Sequence, residues 1–344
     1  MRKDKENIQG LSCPLCRHTD HQVLYRVNVR TVAEHMFHFA GSENEILKLE
    51  GIIKKLWGVE RAKMLRCGNC QLVFADPFVA GSGEFYSAVY KKSSYYPDWK
   101  WDYEITYRDL QRDDLHENSM LGARLLEVGA GNGAFVKKLT SGLLSKENIL
   151  CTEYSEYGSK QITDLGIRCI SGPLEALVTS ENKGRFDYIC MFQVLEHMDN
   201  LNQQFAALNH LSQKGAILYI TVPSDAYRAF YDRLGRHMDT PPNHISRWNL
   251  SSLNKLGEEF KWRVVDHHIQ PMSYREKLKR LIFERLEFHA VFMSSRWAGR
   301  KLPLIRKAGL AVAAICIILV YSGAVIRLRN KGLGISQWVK FARE

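Results

Sequence analysis

Residues 124–136 read Arg-Leu-Leu-Glu-Val-Gly-Ala-Gly-Asn-Gly-Ala-Phe-Val: an apolar run ending in an acid, three alternating glycines, then the start of a helical pattern. This is a strand turning sharply into a helix. With no side chains at Gly129, Gly131 and Gly133, a ligand can approach the backbone there and meet the amide groups of a helix N-terminus. Beyond the turn the same alternation repeats. Residues 148–153, 167–170, 188–192 and 216–221 are short apolar runs separated by stretches of helical periodicity. Together these predict an α/β fold, a Rossmann-like, doubly wound, mostly parallel sheet. Residues 262–269 and 334–344 supply a sixth and a seventh strand, an antiparallel pair that closes it.

Ligands bind such sheets at the C-terminal ends of the strands, so the residues just after each strand carry the chemistry. After the first strand stand Glu127, Gly129, Gly131 and Gly133. After the second stands Glu153, placed to accept hydrogen bonds from both hydroxyls of a ribose. Leu174 and Glu175 follow the third, and Gln193, Glu196 and His197 follow the fourth. Gly129, Gly131 and Ala134 also satisfy the dinucleotide pattern G-x-G-x-x-[GA], so the glycines alone leave NAD and another adenosyl ligand both open. Glu127 tips the balance: it lies where it can reach an ammonium group, which NAD lacks.

The segments EVGAGNG (127–133), FDYICMFQVLEHM (186–198), GAILYITVPS (215–224) and NHISRWNLSSL (243–253), with Glu153, resemble the class I S-adenosylmethionine-dependent methyltransferases over roughly residues 75–270. The resemblance implies a cofactor held by Glu127, Gly129, Gly131 and Gly133 around its methionine moiety. It puts Glu153 at the ribose, Leu174 and Glu175 near adenine, and Gln193 beside the sulfonium. Methyl transfer from a sulfonium is an in-line displacement, so the protein aligns donor and acceptor and removes a proton. His197, next to Glu196, is placed for the base role, and His244 is a second candidate. The competing reading is that Glu196 and His197 merely anchor the following helix.

Of the eight cysteines, Cys13, Cys16, Cys67 and Cys70 form two Cys-x-x-Cys pairs about 50 residues apart, and four others sit singly in apolar runs. Each pair resembles a zinc knuckle, and two knuckles complete a four-thiolate site with no open position, hence a structural Zn2+. The alternative is two unrelated turns. CPLC and CGNC followed by LVFADP resemble the zinc-carrying bacterial methyltransferases associated with sugar or surface-polysaccharide modification.

The net charge of +11 belongs to the C-terminal part alone: residues 271–344 hold 15 Lys and Arg against 4 Asp and Glu, and the first 270 residues hold 33 of each sign. A neutral body, without the Pro-Pro-Tyr or Pro-Cys motifs of base methylation, argues against nucleic acid. It favours a small-molecule or lipid-linked glycan acceptor. Residues 274–293 pattern as a basic amphipathic helix, and residues 308–326 run 19 positions without a charge. A single span there would separate the last strand from its sheet, so an in-plane or re-entrant helix at an anionic membrane surface fits better. A helix buried in a homodimer is the competing reading. The first residues lack the apolar core of a signal peptide, which with the reduced cysteines places the protein on the cytoplasmic side of the membrane.

The expected organisation is a zinc-binding cap (1–80), an aromatic-rich lid (81–120), the cofactor-binding core (121–270), a membrane-associating insertion (271–332) and the closing strand (333–344). An NAD-dependent sugar-modifying oxidoreductase and a non-enzymatic zinc-bearing membrane scaffold are the alternatives.

Overall fold

A computed structural model describes residues 10–37, 41–89, 98–117, 120, 122–237, 239–282 and 332–344, together with residues 316, 319, 323, 326, 328 and 329.

The N-terminal part builds a small antiparallel sheet. Strand β1 (His21–Asn28) leads into helices α1 (Val29–Met36) and α2 (Glu43–Trp57), and the chain returns as β2 (Arg61–Cys67) and β3 (Val73–Asp76). Periodicity over residues 32–64 reads as one helix. The structure instead gives two helices and then a strand. Helix α2 begins at a capping box between Ser42 and Glu45 and ends at Gly58, whose φ of 67° stops the helix; the next residues alternate in burial and pair with β1. Ile46, Leu49, Ile53 and Trp57 of α2 pack with Val32 and Ala33 of α1 over this sheet.

Helices α3 (Gly83–Val89) and α4 (Trp101–Glu117) precede the core, which runs β4 (Leu125–Val128), α5 (Ala134–Leu139), β5 (Ile149–Thr152), α6 (Glu156–Asp164), β6 (Arg168–Ile170), β7 (Phe186–Phe192), α7 (Leu201–Leu211), β8 (Ser212–Pro223), α8 (Asp225–Asp232), β9 (Ser246–Arg247), α9 (Leu250–Phe260), β10 (Trp262–Ile269) and β11 (Ser336–Arg343). Seven strands form one sheet in the order β10-β11-β8-β7-β4-β5-β6. Strands β4 to β8 are parallel, and β11 enters antiparallel between β8 and β10. The expected α/β architecture is therefore present, with the final strand inside the sheet rather than at its edge.

Alternation along β4 divides the core. Leu126 and Val128 face one layer, with α7 and α9; Leu125 faces the other, with Tyr103 and Leu110 of α4 and Phe135 and Val136 of α5. The first layer also takes in Cys13, Cys67, Cys70 and Phe74. The cap is further tied to the core by β9, which pairs with β3 as the fourth strand of the small sheet.

Residues 274–282 are helical, and their apolar side chains Leu278 and Leu281 pack on Tyr227, Phe230 and Tyr231 of α8. The rest of the expected amphipathic helix, including Leu286 and His289, lies outside the described residues, as does most of the apolar segment 308–326. Among the described residues no helix is long and apolar enough to cross a membrane.

Candidate active site

At the end of β4, Gly129, Gly131 and Gly133 all adopt left-handed backbone, with φ of 68°, 59° and 75°. That conformation disfavours side chains, and space reinforces the choice: a Cβ on Gly129 would stand 2.8 Å from Val194 Cγ2. Glu153, at the end of β5, fixes the turn by accepting from Gly131 N at 2.8 Å and from Ser155 N at 2.9 Å. Each carboxylate oxygen keeps a further lone pair, so both can still accept a hydroxyl.

Glu127 lies beneath the turn in register with Cys151 and Cys190. It is 1% exposed, and its Oε2 has no hydrogen-bond partner among the described residues. Burial pushes its carboxyl up to about 8, against the opposing pull of the Lys100 charge. A buried carboxylate with an unanswered oxygen is costly, and a cationic ligand group would relieve it. The residues present thus fit the ammonium end of S-adenosylmethionine, with the open glycine turn beside it.

Leu174 is buried beyond β6, and the neighbouring Glu175 accepts from Gln204 Nε2 at 2.8 Å through Oε1 while its Oε2 is buried without a partner among the described residues. Gln193 holds a left-handed φ of 63°, and its amide donates to Ser336 Oγ at 3.0 Å and Thr221 Oγ1 at 3.3 Å. Its side chain is therefore tied to β8 and β11.

Two residues that the sequence does not single out lie close enough to Glu127 for their charges to interact. The Tyr103 ring packs on Phe135 and Phe192, and Lys100 Nζ lies 4.7 Å from its centroid. The charges of Glu127 and Glu153 raise the Tyr103 hydroxyl further, above the rise due to burial. Both residues belong to the aromatic stretch ahead of the glycine turn. Its position was a signal, but its irregular spacing singled out no member.

Across from the glycine turn, β9 brings residues 243–247 beside 195–197: Ile245 N donates to Glu196 O at 2.9 Å and Ser246 Oγ to Leu195 O at 3.4 Å. His197 and His244 meet edge to face, with ring centroids 4.7 Å apart. His197 Nδ1 lies 2.6 Å from Asn243 O and 3.3 Å from the Tyr86 hydroxyl; His244 Nδ1 lies 2.7 Å from Asp239 Oδ1. Burial, with His244 nearby, lowers His197 to about 3, which keeps the imidazole neutral and its lone pair free. Glu196 is fully buried, both carboxylate oxygens lack a hydrogen-bond partner among the described residues, and burial raises its carboxyl to about 7. Helix α7 begins at Leu201, and neither side chain is seen to cap it: the Glu196 oxygens have no partner among the described residues and His197 Nδ1 is directed to Asn243 O.

The four cysteines of the two knuckles converge. Their sulfurs lie within 4.8 Å of one another, with Cys13 to Cys70 at 3.7 Å and Cys16 to Cys67 at 3.5 Å. Metal–sulfur bonds of about 2.3 Å in a tetrahedron require sulfurs about 3.8 Å apart, so the cluster fits a Zn2+ ion.

Residues 103–267 match the family model of a methyltransferase domain. No protein of curated function matches the chain. Among solved structures, a SAM-dependent methyltransferase from Archaeoglobus fulgidus is similar at 15% identity, covering 70% of this chain and 94% of that one, with a TM-score of 0.42. An S-adenosylmethionine-dependent methyltransferase from Mesorhizobium loti is similar at 14% identity, covering 64% and 91%, with a TM-score of 0.39.

Proposed function

We propose that the chain, which carries a methyltransferase domain, is a class I S-adenosylmethionine-dependent enzyme that transfers the methyl group to a small or lipid-linked acceptor, a sugar or glycan. The observation that carries the cofactor half of this reading is Glu127: a buried carboxylate oxygen without a partner among the described residues, beneath a three-glycine turn. NAD has no ammonium to answer it, which disfavours the oxidoreductase. The glycan half is supported by the electrically neutral body and by Tyr86, His197 and His244, whose rings suit the C–H faces of a sugar.

The cofactor supplies an electrophilic methyl on a sulfonium. Glu127 would hold its ammonium group, the backbone of residues 129–133 would lie along it, and Glu153 would accept from the ribose. Leu174 and Glu175 would border the adenine, and Gln193 the sulfonium, from a backbone fixed by its hydrogen bond to Thr221 O. The acceptor would lie against Glu196, His197 and His244. Its proton would pass to Nε2 of His197 or His244, each ring being oriented through Nδ1. The four-cysteine cluster would hold a structural Zn2+ that locks the cap onto the core. The basic segment 271–332 would bring the enzyme to an anionic membrane surface on the cytoplasmic side, where lipid-linked glycans are presented.

Calorimetry with S-adenosylhomocysteine and with NAD tests the cofactor, and a mass gain of one methyl on candidate lipid-linked sugars tests the acceptor. Binding of the first ligand alone is expected; binding of NAD alone would overturn the reading.

A further inference from the structure

The acceptor-side cluster holds more than proton removal requires. Glu196, His197 and His244 each present a ligand atom, and the three atoms lie within 4.8 Å of one another. Glu196 is 1% exposed, yet neither carboxylate oxygen has a hydrogen-bond partner among the described residues. A single imidazole base needs no such neighbour, whereas a cation held between the carboxylate and the rings would satisfy it.

Both rings are prepared for that role. Asn243 O and Asp239 Oδ1 can only accept, at 2.6 Å and 2.7 Å, so the hydrogen sits on Nδ1 in both imidazoles and the lone pair falls to Nε2. A carbonyl or carboxylate behind the ring that fixes this tautomer is how metal-binding histidines are oriented. Asp239 is itself held by Arg228 at 3.3 Å and Arg247 at 2.6 Å, so its position does not depend on His244.

We propose that Glu196, His197 and His244 bind a divalent first-row transition-metal ion through one carboxylate and two imidazoles, and that its open positions take a hydroxyl oxygen of the acceptor. Two nitrogens and one oxygen suit Zn2+, Fe2+, Co2+ or Ni2+, and three protein ligands leave room for substrate. The proposal rests on the methyltransferase reading of this pocket and narrows the acceptor atom to oxygen. With the ion bound, Nε2 of each ring is a ligand and no longer the base, and a hydroxyl bound to the ion releases its proton to solvent near neutral pH instead. The oxygen then forms its bond to the methyl carbon, the carbon–sulfur bond breaks, and the electron pair stays on sulfur, which becomes a neutral thioether. The cysteine cluster differs in kind, with four thiolates and no vacancy.

Co2+ alone, titrated into the full-length chain, separates the two sites by colour. At the proposed site it shows weak visible d–d bands, whereas in the cysteine cluster it shows intense sulfur-to-metal charge transfer. One equivalent without the charge-transfer band is expected. Glu196→Gln and His244→Gln each should weaken that equivalent more than about tenfold, and metal retained by the cysteines in the same samples shows that the variants are folded. No equivalent of this kind in the wild type, or one unchanged in both folded variants, overturns the site. S-adenosylhomocysteine calorimetry on the same wild-type sample tests the methyltransferase reading separately: cofactor binding without the ion sinks the metal site alone, and ion binding without the cofactor sinks the parent reading alone.

Discussion

His244 donates from Nδ1 to Asp239 at 2.7 Å, and Asp239 is clamped between Arg228 and Arg247. Burial alone would raise the Asp239 carboxyl, but the two guanidiniums overcome it and hold the group far below the usual carboxylate range, so it is ionised at any working pH. Arg247 also donates to the Tyr25 hydroxyl at 2.6 Å, so the cap's first strand steadies the same imidazole. Asp239→Asn should lower kcat about 10- to 100-fold with little change in affinity for S-adenosylhomocysteine. Steady-state kinetics with parallel calorimetry checks this; equal loss of both would point to misfolding.

Glu127→Gln removes the carboxylate assigned to the cofactor's ammonium. The loss of a charge-assisted hydrogen bond in a buried site is about 1.5–3 kcal/mol, or roughly 10- to 150-fold in affinity for S-adenosylhomocysteine. The ligand-free protein should respond the opposite way. The folded-state carboxyl sits near 8, above its ordinary value of 4.5, so ionising it costs stability increasingly as pH rises through that interval. The variant should therefore melt higher than the wild type at pH 8–9, by on the order of a few kcal/mol in stability, and match it near pH 4.5.

The same shift makes cofactor binding pH-dependent. Below about pH 8 the empty site holds Glu127 protonated, and an ammonium favours the carboxylate. Binding must expel a proton. Affinity for S-adenosylhomocysteine should rise between pH 6 and 8, and calorimetry at pH 7 in two buffers of different ionisation heat should show proton release. A constant affinity across that range would remove Glu127 from the site.

Cys67→Ser, or a strong chelator, should loosen the cap. Cys13, Cys67 and Cys70 pack in the apolar cluster that also holds Phe74, Phe205 and Trp248, so losing an ion there disturbs the core as well as the small sheet. A fall in Tm on the order of 5 °C is expected, read by thermal unfolding with and without added Zn2+.

What could be read from the chain beforehand was local. The strands of the large sheet are short apolar runs, and the row of residues after them is fixed by the rule that parallel strands present their C-terminal ends to ligand. Glu127, Glu153 and the pairing of Glu196 with His197 followed from that. Strand β9 did not, because two residues carry no periodicity; Ser246 and Arg247 become a strand only by meeting β3, more than 160 residues earlier. Lys100 and Tyr103 were hidden for a similar reason. Their place is set by α4 docking on the far strands, where Trp338 donates to Thr106 at 2.8 Å and Ser336 to Asp102 at 2.5 Å. The helix-like pattern over residues 32–64 holds through α1 and α2 and ends at Gly58, where a left-handed residue outweighs the apolar spacing around it.

Strand β11 also sets a timetable. It lies between β8 and β10, with Trp338, Val339 and Phe341 buried and both edges paired. During synthesis, every strand beside it has left the ribosome long before residues 336–343 exist. Until then the nascent chain carries an open slot with two unpaired strand edges and the faces that Trp338 and Phe341 later cover, the kind of surface that chaperones bind and neighbouring chains invade. The growing chain must wait with its catalytic half assembled and its sheet unclosed, and Gln193, whose amide is held partly by Ser336, is set in place only once residues 336–343 have been made.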